Sequence, residues 1–473
     1  MNAGITRWAR EEFGGTDLGD VRRTRRLVAM ATTAARRPSG KVSAVFDHAP
    51  DREGAYDFLE SPHVKPDAIA KRVYDAAAAR AQGLNYAFVA VDGSALSLTD
   101  DNGAKGFGSV GSPNKDVKGL MVMNALAISP DGVPLGLVDQ IYWNRSSARE
   151  TGLTPGERSK RNQQRSFEEK ETFFIVEAAR HAQERLERHG TKAWVVVDRA
   201  ADNRDILLAL HEMDCLFTIR GRWDRQLWPA EGKSLHETLD CEPSLGTYEL
   251  HIGRRGQRAA RTAKVDVRAA QVTLHFRARG IHEEEALRLF AVRIREKSRN
   301  KDAFDWLLYT NVPVLTAEHA QRILGSYQGR WRVEEFHRTW KQGDCNVEDA
   351  QLRSMDAVIK WATILAAVAT RIERLKYLSR NKPEEPATIE FGEDEIEALQ
   401  LDQRRRSKTK QRRAPATPTI AEATRWVAQL GGWIGERNGP PGAITLGRGL
   451  ERLSYLLEGI ALARRRGAPD YPT

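Results

Sequence analysis

The spacing of apolar and polar positions changes along the chain and predicts a different kind of element in each region. Residues 1–70 carry apolar residues at helical spacing between glycine-rich breaks, which predicts a helical N-terminal region. Residues 85–98 form an apolar run that predicts a buried strand ending at Asp92, and the run AWVVVD predicts another strand ending at Asp198. Pro-Asp-Gly at residues 130–132 separates two further apolar runs, which predicts a hairpin.

Downstream of these strands, residues 222–312 alternate between apolar and polar positions, which predicts an all-β insertion. Helices are expected again at about 316–346 and 353–379. The predicted elements follow the order of a ribonuclease-H-like core: three strands, a helix, a strand and a helix, followed by an insertion and a closing helix. We therefore predict an α/β protein with a ribonuclease-H-like catalytic core interrupted by an all-β insertion, and with helical N-terminal and C-terminal domains. The expected domains are residues 1–70, 71–380 and 381–473.

The chain is basic, with a formal net charge of +10 and an isoelectric point near 9.5. This excess indicates a polyanionic partner, although composition does not distinguish DNA from RNA or a membrane surface. A solvated surface would explain any one basic cluster, whereas three clusters of the same sign favour phosphate contacts. The clusters are Arg22, Arg23, Arg25, Arg26, Arg36, Arg37 and Lys41; Arg254, Arg255, Arg258, Arg261 and Lys264; and the expected linker RRRSKTKQRR at 404–413.

Cysteines and apolar segments restrict where the protein is expected to act. Cys215, Cys241 and Cys345 are widely spaced and form no C-x-x-C pair, which argues against a disulfide framework or a zinc site and indicates a reducing compartment. No segment approaches the ~20 apolar residues of a membrane span. The N-terminus lacks the apolar run of a signal peptide, so we expect no association with a membrane.

Asp92 and Asp198 are the first candidates for chemistry, because each is predicted at the carboxyl end of an apolar strand. A carboxylate at that position leaves the core while the strand still anchors it. If the two strands are neighbours, both acids face one cleft. An aspartate after a strand is also a common turn or cap residue, so the pair alone does not establish a site.

A second candidate is the segment YQGRWRVEEFHRTWK, expected on one helix near residues 320–342. Tyr327, Arg330, Glu334 and Lys341 fall within an arc of roughly 60° on such a helix, a composition that suits a core poorly. An exposed helix with an Arg330–Glu334 ion pair is the alternative explanation.

Three acids without a nearby cysteine or paired histidine suit hard cations such as Mg²⁺ or Mn²⁺. Two such ions can stabilise the attacking and leaving oxygens of a phosphodiester. Arg330 and Lys341 would then hold the phosphate, and Tyr327 a backbone oxygen.

The spacing Tyr327-x-x-Arg330-x-x-x-Glu334-x-x-x-x-x-x-Lys341 resembles the Y-R-E-K signature of insertion-sequence transposases of the IS-four group, and of the Tn-five type in particular. The resemblance covers nearly the whole chain. Its other stretches are LGDVRRTRRL at 18–27, EGAY at 53–56, the strand ending in Asp92, VDRAAD at 197–202, WLL at 306–308, RWRVEEFH at 330–337 and LGG at 430–432.

The resemblance implies that Asp92, Asp198 and Glu334 are the D-D-E triad and bind two Mg²⁺ ions, with Mn²⁺ as a substitute. Spacing selects Glu334 over the adjacent Glu335. It also implies nicking of each transposon end, hairpin formation and resolution, and joining of the 3′ end to target DNA. The residues expected to contact DNA are Arg22, Arg23, Arg25, Arg26, Lys41, Arg220, Trp331 and Trp306, of which Trp306 would stack on a flipped base or, alternatively, pack in the core.

The partners implied are transposon-end and target DNA, with a homodimer in the DNA-bound synaptic complex formed through the last ~60 residues. A bacterial, cytoplasmic, nucleoid-associated protein is expected. Three alternatives stay open at this stage: an inactive or domesticated relative that binds DNA without cutting it, another metal nuclease on the same fold, and a structural DNA binder.

Overall fold

A computed structural model describes residues 3–465, apart from 101, 112–116, 146–153, 226, 228–233, 253–260, 278–283, 299–302, 407–416, 436 and 438. The helices are α1 (Ala3–Phe13), α2 (Val21–Arg36), α3 (Val42–Val45), α4 (Ala49–Glu60), α5 (Pro66–Ala79), α6 (Pro155–Gln164), α7 (Phe173–Glu187), α8 (Arg204–Glu212), α9 (Leu235–Cys241), α10 (Ala317–Gly329), α11 (Trp331–Lys341), α12 (Met355–Asn381), α13 (Glu393–Arg406), α14 (Ile420–Leu430) and α15 (Ala443–Arg465). The strands are β1 (Tyr86–Ser97), β2 (Gly108–Val110), β3 (Val117–Ile128), β4 (Pro134–Trp143), β5 (Lys192–Val197), β6 (Leu216–Arg220), β7 (Gly246–Ile252), β8 (Arg261–Arg277), β9 (Glu284–Glu296) and β10 (Asp305–Thr310).

The strands of the described chain form one mixed sheet in the order β2-β3-β1-β5-β6-β10-β9-β8-β7, with β4 on β3. β1, β5 and β6 run parallel, whereas β3 and β10 are antiparallel to their neighbours. This mixed sheet and the flanking helices confirm the predicted α/β, ribonuclease-H-like class.

Apolar side chains cover both faces of the central strands, which explains their near-continuous hydrophobic runs. On β1, Phe88 and Ala90 belong to one core, and Val89 and Val91 to the other. The first core contains the N-terminal helices, α10 to α12 and the C-terminal helices, and the second contains α7 and α8. Because side chains alternate along a strand, Asp92 lies on the face of Phe88 and Ala90, the side that α11 covers.

The expected end of the first strand at Asp92 is wrong, because β1 continues to Ser97. Pairing of β1 with β5 stops at the pair Ala90–Val196, but antiparallel pairing with β3 extends from Phe88 to Ser97. Asp92 therefore lies inside a strand, opposite Asn124, at a point where pairing with β5 on its other edge has already ended.

The region predicted as an all-β insertion supplies β7 to β10, together with the short helix α9, within residues 222–312. Its strands continue the central sheet, since β10 pairs with both β6 and β9. Of the basic cluster in this region, Arg254, Arg255 and Arg258 lie outside the described residues, and Arg261 forms an ion pair with Glu296.

The single helix expected over residues 320–342 is also wrong. α10 ends at Gly329, α11 begins at Trp331, and Arg330 caps both. Two tight backbone bonds span the junction, from Arg330 N–H to the Tyr327 carbonyl (3.3 Å) and from Val333 N–H to the Arg330 carbonyl (3.2 Å). Such three-residue bonds tighten the turn.

The 27-residue helix α12 joins the regions of the chain. Ser354 caps it by accepting a hydrogen bond from the Ala357 N–H. Buried Lys360 donates to the carbonyls of Leu59 (2.8 Å) and Ser61 (2.9 Å), at the end of α4. α12 also contacts β4, α11, α14 and α15, so one helix links the N-terminal helices, the sheet and the C-terminal helices.

The structure describes only part of the basic run at residues 404–413. Of the basic run 404–413, residues 404–406 end α13, where Arg405 and Arg406 pair with buried Asp402, and residues 407–413 lie outside the described residues. No helix among the described residues is long and apolar enough to cross a membrane.

Candidate active site

Asp92 and Asp198 come from neighbouring parallel strands. Asp198 directly follows β5, and its carboxylate accepts a hydrogen bond of 2.8 Å from the Ala200 N–H that begins a short 3₁₀ turn. Asp92 lies two residues beyond Ala90, the last residue of β1 that pairs with β5. Because parallel strands end at the same edge of a sheet, both acids lie at that edge.

Electrostatic coupling links Asp92 with the other two predicted acids. Burial raises the pKa of Asp92 to about 7; Arg330 opposes the rise, whereas Asp198 and Glu334 add to it. Two carboxylates that perturb a third in this way share its surroundings. Asp92 of β1 and Glu334 of α11 both contact the Arg330 guanidinium, and Asp198 follows β5 at the edge of the sheet where pairing with β1 ends.

Arg330 lies between two of these acids. Its guanidinium Nη2 donates to Glu334 Oε1 (2.5 Å), and its Nη1 lies 3.9 Å from Asp92 Oδ2. The side chain is 8% exposed, and within the described chain its buried Nε has no hydrogen-bond partner. A buried donor without a partner is costly, so this N–H is suited to an oxygen supplied by a ligand.

The donor set fits a hard divalent cation. Burial and the charges of Asp198 and Glu334 raise the pKa of Asp92, and a cation beside these carboxylates would oppose both effects. In the described residues, no three His, Cys, Asp or Glu side chains stand close enough together to hold a metal ion as they are. The Arg330 guanidinium supplies the positive charge between Asp92 and Glu334 in this structure.

Glu335 belongs to a separate network, despite being adjacent to Glu334. It accepts a hydrogen bond from the Tyr377 hydroxyl and lies 3.5 Å from the Lys376 ammonium and 3.7 Å from the Arg332 guanidinium. These contacts tie α11 to α12, so the two neighbouring acids face different surroundings.

The buried rings of Tyr327 and Trp306 pack together beside the half-buried Arg220. The Trp306 and Tyr327 rings meet edge to face at 4.7 Å between centroids, and the Arg220 guanidinium lies 5.7 Å from the Trp306 ring centre. Phe304 lies 4.0 Å from Trp306 on another side. Trp306 is 6% exposed and Tyr327 is 1% exposed, so neither presents an open surface to DNA in this structure.

Lys341 ends α11 next to the strand that carries Asp92. Its ammonium donates to the Ala95 carbonyl and to Ser94 Oγ (3.4 Å), and lies 3.5 Å from Glu348. A lysine at this position holds β1 against α11 and carries its positive charge to the edge where the acids lie.

The remaining residues expected at DNA lie on the surface or close to it. Trp331 is 41% exposed and packs against the Arg330 guanidinium. Arg23 is half-buried and donates to the Leu18 carbonyl. Arg22, Arg25, Arg26 and Lys41, the other basic residues expected at DNA in the N-terminal region, are exposed.

A polar chain that ends at Asp92 was not predicted from the sequence. Gln140 on β4 donates to Asn124 on β3, Asn124 contacts His337 on α11, and His337 Nδ1 lies 3.8 Å from Asp92 Oδ2. The signal was present, because Asn124 and Gln140 are amides inside strongly apolar strands, where a polar residue requires a partner.

Asp202 was not predicted either. Its buried carboxylate accepts hydrogen bonds from the N–H groups of Arg222 (2.6 Å) and Trp223 (3.3 Å) and from the Arg225 guanidinium (2.6 Å). It therefore holds the turn that follows β6, beside the edge where Asp198 lies.

Comparison with protein families covers most of the chain. Residues 5–64 match the model of a transposase DNA-binding family, and residues 176–371 match a transposase DDE domain. Residues 367–468 match the transposase Tn5 dimerisation domain. With its DNA-binding and dimerisation regions on either side of the catalytic domain, the chain belongs to the Tn5-like DDE transposases, enzymes of metal-dependent DNA cleavage and strand transfer.

Proposed function

We propose that this transposase moves DNA by a cut-and-paste route. It nicks each transposon end, forms and resolves a hairpin there, and joins the free 3′ end to target DNA. The observation that supports the proposal best is the coupling of Asp92 to Asp198 and Glu334 around Arg330.

Asp92, Asp198 and Glu334 are the residues that would hold two Mg²⁺ ions, or Mn²⁺ in their place. Bound there, the metal pair supplies activation of the attacking oxygen and stabilisation of the leaving oxygen. The three side chains would hold the cations as ionised carboxylates.

Arg330 orients the scissile phosphate. Its Nε–H has no partner in the described chain, while its Nη2 is anchored on Glu334, so the guanidinium offers a directed donor beside the acids. Lys341 adds positive charge from the end of α11, and Tyr327 sets the position of Arg220 and Trp306 by packing against them.

Hairpin formation bends one DNA strand sharply and favours a flipped base. We assign to Trp306 the role of stacking on that base. In the present structure Phe304 and Tyr327 enclose that ring, so the base has to displace one of them. Stacking of this kind contributes ~1–3 kcal/mol per base.

The proposed division of labour follows the three segments 1–70, 71–380 and 381–473. The first binds the transposon end, the second carries the chemistry, and the third pairs two protomers in a synaptic complex. The residues assigned to DNA are Arg22, Arg23, Arg25, Arg26, Lys41, Arg220, Trp306 and Trp331.

Cleavage of a short duplex carrying the element's own terminal repeat tests the proposal. The full chain is incubated with Mg²⁺, Mn²⁺ or EDTA, and products are resolved on a denaturing gel. We expect metal-dependent nicks and a hairpin product from the wild type. Glu334→Gln should reduce both by at least about 10³-fold, because a neutral amide binds a divalent cation poorly and no longer anchors Arg330 by charge.

Glu335→Gln is the matched control, since it removes the same charge from the next residue. It should lower stability through Tyr377 and Lys376 but keep cleavage. An equal decrease in both variants would contradict the assignment of Glu334. Binding of the duplex by the wild type without any cut in either metal would instead support an inactive, DNA-binding relative.

A further inference from the structure

Four polar side chains from four separate elements form a directed series that leads to Asp92. The members are Gln140 on β4, Asn124 on β3, His337 on α11 and Asp92 on β1. Asn124 is fully buried and Gln140 is 8% exposed, and the His337 side chain is 12% exposed. Polar groups enclosed to this extent carry a cost unless each is matched to a partner.

The hydrogen bond between Gln140 and Asn124 determines the direction of the next contact in the series. Gln140 Nε2 donates to Asn124 Oδ1 at 2.7 Å, so the Asn124 oxygen is an acceptor and its Nδ2 is the donor. That Nδ2 lies 2.9 Å from His337 Nε2, which must therefore accept. In a neutral imidazole with Nε2 accepting, the proton is on Nδ1.

The protonated Nδ1 faces the carboxylate. Nδ1 lies 3.8 Å from Asp92 Oδ2, the same oxygen that lies 3.9 Å from the Arg330 guanidinium. This separation is longer than a hydrogen bond of about 2.7–3.2 Å, so Asp92 is oriented by the two groups without being tightly bound by either. A carboxylate held in this way keeps its lone pairs available to a ligand.

We propose that His337 is a positioning residue for Asp92, and that Gln140 and Asn124 fix its tautomer so that an N–H, and not a lone pair, faces the carboxylate. The proposal rests on the proposed role of Asp92 as a metal ligand. The opposite tautomer would place a lone pair against a carboxylate oxygen and turn that oxygen away.

Two amide substitutions test the contacts of the two imidazole nitrogens separately. An asparagine amide sits on Cγ, where it reaches the position of Nδ1, whereas a glutamine amide sits one carbon further, where it reaches the position of Nε2. His337→Asn keeps a donor towards Asp92 but no longer reaches Asn124. His337→Gln still reaches Asn124 but no longer presents a donor to Asp92.

The test measures binding of Mn²⁺ to the full chain by electron paramagnetic resonance, with cleavage of the terminal duplex measured in parallel. We expect His337→Gln to weaken Mn²⁺ binding on the order of 10- to 100-fold, the usual effect of removing a group that orients a metal ligand. His337→Asn should stay within about threefold of the wild type. Asn124→Ala, which leaves the imidazole in place but frees its tautomer, should fall between the two.

Equal affinity in the wild type and both His337 variants would overturn the proposal, and so would equal weakening in both, since that result indicates packing alone. Asp92→Ala distinguishes failure of the proposed metal site from failure of the proposed role of His337. If Asp92→Ala binds Mn²⁺ as the wild type does, the proposed metal site itself is wrong. If Asp92→Ala no longer binds Mn²⁺ while His337→Gln still does, only the role of His337 is wrong.

Discussion

At the scale of single residues, the ionised form of Asp92 is destabilised by its position in the candidate active site. Burial raises the pKa of its carboxylate to about 7; Arg330 opposes the rise, and the charges of Asp198 and Glu334 add to it. Perturbed carboxylates of this kind concentrate where proteins bind cations or move protons. The free energy of unfolding should therefore depend on pH in part through this group.

Asp92→Asn tests that dependence in the metal-free protein. The folded pKa of about 7 exceeds the ordinary value of 3.8, so the unfolded chain releases the proton first as pH rises. The wild type keeps the associated stability below about pH 4 and loses it progressively up to about pH 7. Above pH 7 the variant should be more stable than the wild type by on the order of 2–4 kcal/mol.

Denaturant unfolding in EDTA between about pH 4 and pH 9 measures this difference. Addition of Mg²⁺ should reduce it, because the cation stabilises only the wild-type carboxylate. Parallel curves for the two proteins across the whole range would show that Asp92 is not destabilised by ionisation.

At the scale of elements, the helical pair α14 and α15 depends on a close approach at glycine. A Cβ at Gly449 would overlap the Val427 carbonyl oxygen in the last turn of α14. Backbone cannot move aside as the end of a flexible side chain can, so the two helices can pack this closely only without a side chain. Farther along α15, a Cβ at Gly459 would meet nothing within 4 Å.

Gly449→Ala and Gly459→Ala therefore have opposite expected effects, although both replace glycine by alanine in one helix. Gly459→Ala should stabilise α15 by about 0.5–1 kcal/mol, the difference in helix propensity. Gly449→Ala should destabilise the pair by about 1–3 kcal/mol, the usual cost of overpacking. Hydrogen exchange followed by mass spectrometry localises either change to α14 and α15, and faster exchange in both variants would contradict the argument.

At the scale of the whole molecule, helix α12 contacts both α2, which carries exposed arginines, and α11, which carries Glu334. Arg22 and Arg25 are exposed on α2, whose first turn is capped by Asp20. A lysine or arginine on a phosphate adds affinity irrespective of sequence, and that affinity falls with salt.

Arg22→Ala with Arg25→Ala should weaken binding of the terminal duplex and reduce the slope of log K against log salt by about 0.9 for each phosphate that is no longer neutralised. Fluorescence anisotropy between about 50 and 300 mM salt, a range chosen around physiological ionic strength, measures both quantities. Arg188→Ala, at an exposed arginine after α7, removes one charge and is compared with Arg22→Ala alone; it should leave the slope unchanged. An equal reduction with Arg188→Ala would show a non-specific effect of net charge.

The C-terminal helices contact the N-terminal helices within one chain. The Arg37 guanidinium lies 3.8 Å from Glu451 on α15, and Arg7 on α1 donates to the Thr388 carbonyl (2.8 Å). A chain in this arrangement should be monomeric until DNA competes for the N-terminal surface, and should dimerise on DNA. Sedimentation velocity of the full chain with and without terminal duplex measures this, and a stable dimer in the absence of DNA would contradict it.

The amino-acid sequence determined those features that depend on local pattern. Apolar runs predicted the strands that carry Asp92 and Asp198, and family resemblance identified the transposase class that the family comparisons confirm. Side-chain caps such as Asp20 and Ser354 are local too, since they satisfy backbone N–H groups two or three residues away.

Only the tertiary structure decided which distant residues meet. The pairing of β1 with β5 brings Asp92 to the same sheet edge as Asp198, and the pairing of β1 with β3 places Asn124 opposite Asp92. The packing of α11 on these strands then brings His337 to Asn124. The break at Arg330 was missed, although Gly329, the residue before it, is a poor helix former and a local signal for the end of a helix. Spacing within one segment had already selected Glu334 over Glu335, whereas strand order and burial arise from long-range packing, about which periodicity along one segment carries no information.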